Sequence, residues 1–280
     1  MGSPDQKGAP ARQQGAQEEL QRDATIGSVD LTRWPTPPGR AVAKQVKKAS
    51  RRIGTRAALL ITLALGAIVA FALSFVATGV YDSVTESDGI AGFDQPILQT
   101  AIEARSPALD VIVTGYTDIA GPIGMPIIAV AAILILSLQR HSWTPAILIA
   151  AAGLGSLAMT IAGKDLIGRV RPPLAEAVPP YEYSASFPSG HTLNAVAVVG
   201  TIAYLLILRQ TSTLARTLTI TGAALFAVTI GLSRVFLGHH WFTDVAAAWL
   251  LGAAWLALVI TAHRLYITAR RTRDPEQIAG

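Results

Sequence analysis

The chain repeats one feature that few folds accept: long apolar runs with almost no charge, such as "ITLALGAIVAFALSFVATGV" and "VAAAWLLGAAWLALVITA". A helix rises about 1.5 Å per residue, so a run of about 20 residues crosses the ~30 Å hydrocarbon layer of a bilayer. Backbone polar groups in hydrocarbon must pair internally, which leaves only helices or closed barrels. The alternating pattern of a barrel strand is absent. The sequence therefore predicts an all-α, polytopic membrane protein. Its charged fraction, 15%, is well below that of a soluble domain.

Six transmembrane helices are expected, over roughly 57–80, 119–138, 143–164, 189–208, 213–234 and 241–263. Gly121, Pro122, Gly124 and Pro126 argue against a straight second helix. Leu98, Ala101 and Ile102 suggest a short interfacial helix between the first two spans. Three regions follow: a tail over 1–52, a six-helix domain over 53–265, and a second tail over 266–280. The first 40 or so residues, rich in Gln, Gly, Pro and charge, read as disordered. Val42, Val46, Ala49 and Ile53 share one face of a basic juxtamembrane segment with Lys44, Lys47, Lys48, Arg51 and Arg52 around the rest. The first apolar run lies too far from Met1 to be the core of a secretory signal.

With six spans, the N-terminal basic run, Arg140, Arg209 with Arg216, and Arg264 with Arg270, Arg271 and Arg273 all fall on one side. By the positive-inside rule that side, with both termini, is cytoplasmic. The net charge of +5 is thus accounted for by topology, and no nucleic-acid partner is expected. Cys is absent, which excludes thiol chemistry and thiolate metal sites.

Three polar clusters then lie on the opposite, outer face: "GKDLIGRVRPP", "FPSGH" and "LSRVFLGHHWFTDV". They bring Lys164, Arg171, Ser189, Gly190, His191, Arg234, His240 and Asp244 together. Two guanidiniums and an ammonium suit a tetrahedral oxyanion. Ser189 and Gly190 open a helix, where free N–H groups and the helix dipole favour an anion. His240 and Asp244 are spaced i, i+4 on one helix face, so the acid can orient the imidazole as a nucleophile or base. Phosphate is the ligand these groups fit.

The three clusters resemble the type 2 phosphatidic acid phosphatase (PAP2) and haloperoxidase superfamily. The pattern runs Lys164-x6-Arg171-Pro172, then Pro188-Ser189-Gly190-His191, then Ser233-Arg234-x5-His240-x3-Asp244. Eleven specified residues match in order and at the required spacing, far more than a lone short motif supplies. The resemblance covers roughly 57–263. It implies that His240 attacks phosphorus, that Asp244 orients it, and that His191 protonates the leaving oxygen and later activates water. Lys164, Arg171, Ser189, Gly190 and Arg234 would hold the phosphoryl oxygens, with no metal or other cofactor. The implied substrate is a lipid phosphate or diphosphate such as undecaprenyl diphosphate, phosphatidylglycerol phosphate or phosphatidic acid, reached from the membrane.

Other readings stand beside this one. Lys or Arg at a span end commonly snorkels to the headgroups. His239 reads as an interfacial neighbour of His240, and Arg169 as a contact to lipid phosphate or the substrate rim. A zinc site from His191, His239, His240 and Asp244 is possible by residue type, but three nearby cations would repel a dication. Trp143 and Trp241 fit an interfacial belt, and Asp110 and Asp118 fit helix caps or interfacial acids. The loop over 172–187 is placed to roof the site. A lipid phosphotransferase on the same scaffold, or a non-enzymatic anion transporter, are the rival functions.

Overall fold

The structure, a computed structural model, describes residues 21–54, 57, 63 and 90–271. All but two residues of the first expected span, and the acidic loop with Asp82, Glu86 and Asp88, lie outside the described residues. From there the chain is built of helices: α1 (Pro37–Ile53), α2 (Asp94–Glu103), α3 (Pro107–Thr117), α4 (Gly124–Arg140), α5 (Thr144–Ile167), α6 (Gly190–Ile207), α7 (Thr213–Phe236) and α8 (Phe242–Arg271).

Among the described residues, α5 to α8 are each long and apolar enough to cross a membrane. The stretch Pro107–Ala120 and α4 make a fifth candidate span, bent by 44°. The Gly/Pro-rich break that argues against a straight helix is where the bend falls. Its geometry requires Gly124, because a Cβ there would sit 2.6 Å from the Ile119 carbonyl oxygen. The local signals for the other ends are ordinary ones. Ser106 caps α3 by accepting from Leu109 N at 3.4 Å, and Ser212 caps α7 by accepting from Ala215 N at 3.4 Å. Ser106, and not Asp110, is therefore the cap of α3. Gly168 closes α5 at φ 60, donating its N–H to the Lys164 carbonyl.

Helix α6 is the centre of the bundle. Half of its apolar window is buried against protein, against 28–33% for α5, α7 and α8. Lipid tails are as apolar as Leu, so packing here depends on close fit. Gly252 lets α8 approach α6 so closely that a Cβ would stand 2.7 Å from Val196 Cβ, and Gly231 does the same for α7 against Val245 and Trp249. Trp255 is 2% exposed and donates to the Ala151 carbonyl, while Trp249 donates to that of Ala227, so both pack between helices. One turn of α6, Ala195–Val199, is π-helical.

The N-terminal region differs from its expected form. Residues 21–36 are ordered, and a two-residue hairpin, Thr25–Ile26 against Val29–Asp30, forms the only sheet among the described residues. Composition hides the reason, which is tertiary. Asp23 is fully buried between Arg140 at 2.9 Å and Arg209 at 3.1 Å. Arg264 stacks over Trp34 at 4.5 Å and donates to the carbonyls of Leu31 and Arg33. Trp34 Nε1 in turn donates to Thr268. The same contacts hold 266–271 as the last turns of α8, where a tail was expected; Ile267 and Ala269 are each 1% exposed. Arg140, Arg209 and Arg264 thus gather at the bundle end remote from the candidate site.

Candidate active site

The loop Gly168–Ser189 leaves α5, crosses the end of the bundle and delivers the chain to α6. Its seat depends on Gly163, whose missing Cβ makes room for the Pro188 ring, and on Gly190, where a Cβ would meet Thr160 at 3.1 Å. Two sequence-predicted cations hold this loop. Lys164 Nζ donates to Ser184 Oγ at 3.0 Å and to the Ala185 carbonyl. Arg171 Nε donates to the Ser184 carbonyl at 2.6 Å, and its Nη1 to the carbonyl of His239.

His240, 1% exposed, stands between α7 and α8. Its Nδ1 lies 3.6 Å from Asp244 Oδ2, longer than a hydrogen bond, and 3.4 Å from Ser186 Oγ. Ser186 donates to Asp244 Oδ2 at 2.5 Å. A serine hydroxyl has one proton, so with that proton on the carboxylate its lone pair faces Nδ1. This assigns the hydrogen to Nδ1 and the free lone pair to Nε2. Arg171 Nη1, 3.3 Å from Nε2, is a donor and agrees with that tautomer.

Asp244 is wholly buried and also accepts from Trp241 N at 3.0 Å and from Arg169 Nη1 at 2.5 Å. Arg169 is thus neither at a substrate rim nor on lipid phosphate. Its guanidinium serves two carboxylates, the second being Asp94 on α2 at 2.7 Å. His239 is likewise not interfacial. It is 3% exposed, with Nε2 2.7 Å from the Val178 carbonyl oxygen, and fastens the loop. Trp241 donates to the Val170 carbonyl and has Arg169 5.9 Å from its ring centroid.

Ser189 is fully buried, its Oγ accepting from Thr192 Oγ1 at 2.9 Å, and Gly190 begins α6 beside it. His191 points its Nε2 at the helix break, where a Cβ on Gly121 would come within 3.1 Å. Arg234, 2% exposed, pairs with Glu182 from the loop, and Arg171 pairs with the other oxygen of that carboxylate at 2.8 Å. The cation cluster is partly neutralised: Glu182 sits between two of its three members. Burial pushes the Glu182 carboxyl up, but Arg234 and Arg171 outweigh this and hold it down at about 2. Among the described residues, no group of three His, Asp or Glu is placed to hold a metal ion.

One cavity of about 850 Å³ joins these groups. Lys164, Glu182, Ser184, Gly190, His191 and His240 line its polar part, and most of the rest is apolar wall from α4 and α5. Val130, Leu154 and Leu157 belong to that wall and are 55%, 67% and 52% exposed, so the cleft opens sideways on the lipid-facing surface. All eight predicted residues therefore stand at one end of the bundle. The sequence reading missed Ser186, Glu182, Asp94 and the role of Arg169. The first two were visible as polar residues in the roofing loop; the tie from Asp94 to Thr243 spans 149 positions and left no local signal.

Residues 144–267 match the PAP2 superfamily. Phosphatidylglycerophosphatase B of Bacillus subtilis (strain 168) is 34% identical over 176 residues, which span 62% of this chain and 84% of that protein. The crystal structure of the first transmembrane PAP2 type phosphatidylglycerolphosphate phosphatase from Bacillus subtilis aligns with a TM-score of 0.60 at 28% identity, covering 68% of this chain and 93% of that one. That of Aquifex aeolicus LpxE aligns at 0.49 and 19% identity, covering 63% and 98%. With three motif clusters at one end of a helical membrane bundle and a relative aligned over most of its length, this chain belongs to the PAP2 superfamily of membrane phosphatases.

Proposed function

We propose that the protein hydrolyses a lipid-borne phosphate ester, phosphatidylglycerophosphate first among the candidates, through a phosphohistidine on His240. The observation that carries this is the cleft, which is polar at Lys164, His191 and His240 and apolar where α4 and α5 open sideways. A phosphate would occupy the polar end while an acyl chain lies between the helices. The names of the Bacillus subtilis matches favour phosphatidylglycerophosphate as the headgroup.

In the first step Nε2 of His240 forms a bond to phosphorus as the bond to the lipid oxygen breaks, and His191 gives that oxygen a proton. In the second, His191 takes a proton from water, the water oxygen bonds to phosphorus, and the P–N bond breaks to release phosphate. Lys164, Arg171 and Arg234 supply the positive charge that phosphoryl transfer requires, with the amide groups opening α6. No metal ion is needed in this scheme, and EDTA should leave turnover unchanged.

Six spans, cytoplasmic termini and a periplasmic or extracellular site belong to the same proposal. Its support is the placement of Arg140, Arg209 and Arg264 at the end opposite the site. The chain has no native Cys, so Ala175→Cys in the exposed loop offers a unique label. An impermeant thiol reagent should label it on intact cells; labelling only after lysis reverses the orientation.

The purified protein, given phosphatidylglycerophosphate, undecaprenyl diphosphate and phosphatidic acid separately without an acceptor alcohol, should release free phosphate, fastest from the first. Release from none of them overturns the reading. Release only when an acceptor lipid is added makes the protein a phosphotransferase.

A further inference from the structure

We infer that Asp94 is a positioning residue for the His240–Asp244 pair, acting through Arg169. The inference rests on the proposed role of His240. Asp94 is 5% exposed and lies in the first turn of α2, outside every motif of the three clusters. Its carboxylate makes three contacts, two with Thr243 at the start of α8 and one with Arg169 of the loop after α5. Oδ1 accepts from the Thr243 backbone N at 2.8 Å, and Oδ2 accepts from Thr243 Oγ1 at 2.7 Å and from Arg169 Nη2 at 2.7 Å.

Asp94 therefore does two things. It caps α8 from outside, because the first N–H groups of a helix have no partner within it. It also shares the charge of Arg169. That guanidinium is a planar fork with Nη2 on Asp94 and Nη1 on both Asp244 Oδ1 and Thr243 Oγ1. A half-buried cation paired to two acids pulls less strongly on either one. Asp244 is thereby left with enough negative charge to favour, through Ser186, the proton on His240 Nδ1. The fork also fixes the carboxylate in the plane that Ser186 and the imidazole require.

The groups facing His240 come from every neighbouring element. Asp244 and Ser186 lie on its Nδ1 side and Arg171 on its Nε2 side. Arg234 from α7, Glu182 from the loop and His191 from α6 act on it at longer range, and Lys164 lines the same cavity. Of these groups only Asp244 is bonded to Arg169, and none touches Asp94, so the two replacements act on His240 through the bridge.

The experiment measures kcat, KM and the pH profile of kcat/KM for phosphatidylglycerophosphate with wild type, Asp94→Asn, Arg169→Gln, the double variant and His240→Ala. Asparagine keeps an acceptor for Thr243 N and so keeps the cap. Asp94→Asn should lower kcat by about 10- to 100-fold with KM unchanged, as a small misplacement of a catalytic group does. It removes an anion, so His240 becomes harder to protonate and the acid limb moves to lower pH. Arg169→Gln removes a cation and should move the limb to higher pH. The double variant restores neutrality and should return the limb to its wild-type position while kcat stays low; a neutral pair also folds if Arg169→Gln alone does not. Limbs that do not move, limbs that move the same way, or a loss confined to KM overturn the inference. A wild type without activity, or an active His240→Ala, instead defeats the functional reading on which it rests.

Discussion

Ser186 Oγ stands 2.5 Å from Asp244 Oδ2 and 3.4 Å from His240 Nδ1, so the hydroxyl, more than direct contact, joins the acid to the imidazole. The direct Nδ1–Oδ2 separation is 3.6 Å. Ser186→Ala removes that link and leaves Asp244 short of one donor. A hydrogen bond to a charged group is worth about 1.5–3 kcal/mol, so kcat should fall by about 10- to 100-fold. KM should hold, and Ser186→Thr, which keeps a hydroxyl, should recover most of the loss in steady-state assays.

Glu182 occupies the two guanidiniums that are suited to phosphate. Removing one partner of a buried ion pair costs about 3–5 kcal/mol, because the other charge is left uncompensated. Glu182→Ala should therefore lower the melting temperature, with Arg234 the group that loses most. Inorganic phosphate or vanadate can stand in for the missing carboxylate, so either anion should raise the melting temperature of the variant more than that of wild type. Equal shifts in the two proteins would show that the cations do not bind the anion.

Gly153 lies in the apolar wall of the cleft, and a Cβ there would meet only Val198 Cγ2, at an ordinary 3.8 Å. Gly153→Leu should fit without unfolding the bundle and fill the space assigned to an acyl chain. KM for a long-chain lipid phosphate should rise several-fold while that for a short, water-soluble phosphate ester stays the same. A rise for both would place the tail elsewhere.

Burial lowers the His240 imidazole to about 4; Asp244 pulls it up, and Arg171 and Arg234 press it down. The nucleophile is then neutral at pH 7, and kcat/KM should keep its plateau through pH 6.5 and fall only as pH approaches 4. The unfolded chain takes this proton near 6.5 and the folded chain near 4. The neutral ring thus contributes stability that is complete above 6.5 and is lost as pH falls toward 4. His239, also lowered to about 4 by burial and Arg234, adds to the same window. Thermal melts across pH 7 to 4 should show this decline.

Much of the fold was legible because hydrocarbon leaves a chain few choices. Apolar length marked four spans to within a few residues, apart from the C-terminal end of α8, and the Gly121–Pro126 break announced the bend in the fifth candidate. The eight motif residues were legible because spacing and helix ends alone bring them to one face. What stayed hidden depends on contacts between distant positions. Asp23 orders the N-terminal hairpin only because Arg140 and Arg209 are there to receive it. Asp94 reaches Thr243 and Arg169 only after the bundle closes. Glu182 looked like one polar residue in a loop, and its place between Arg171 and Arg234 follows from how Lys164 and Arg171 fasten that loop.

The most direct test is to follow the phosphoryl group itself. Wild-type protein and His240→Ala are mixed with lipid phosphate carrying a radioactive phosphorus, quenched in base within one turnover, and digested for peptide mapping. The account predicts an acid-labile label on the peptide containing His240 in wild type, and neither label nor phosphate release in the variant. Phosphate release by His240→Ala, or a label carried by any other residue, would contradict it.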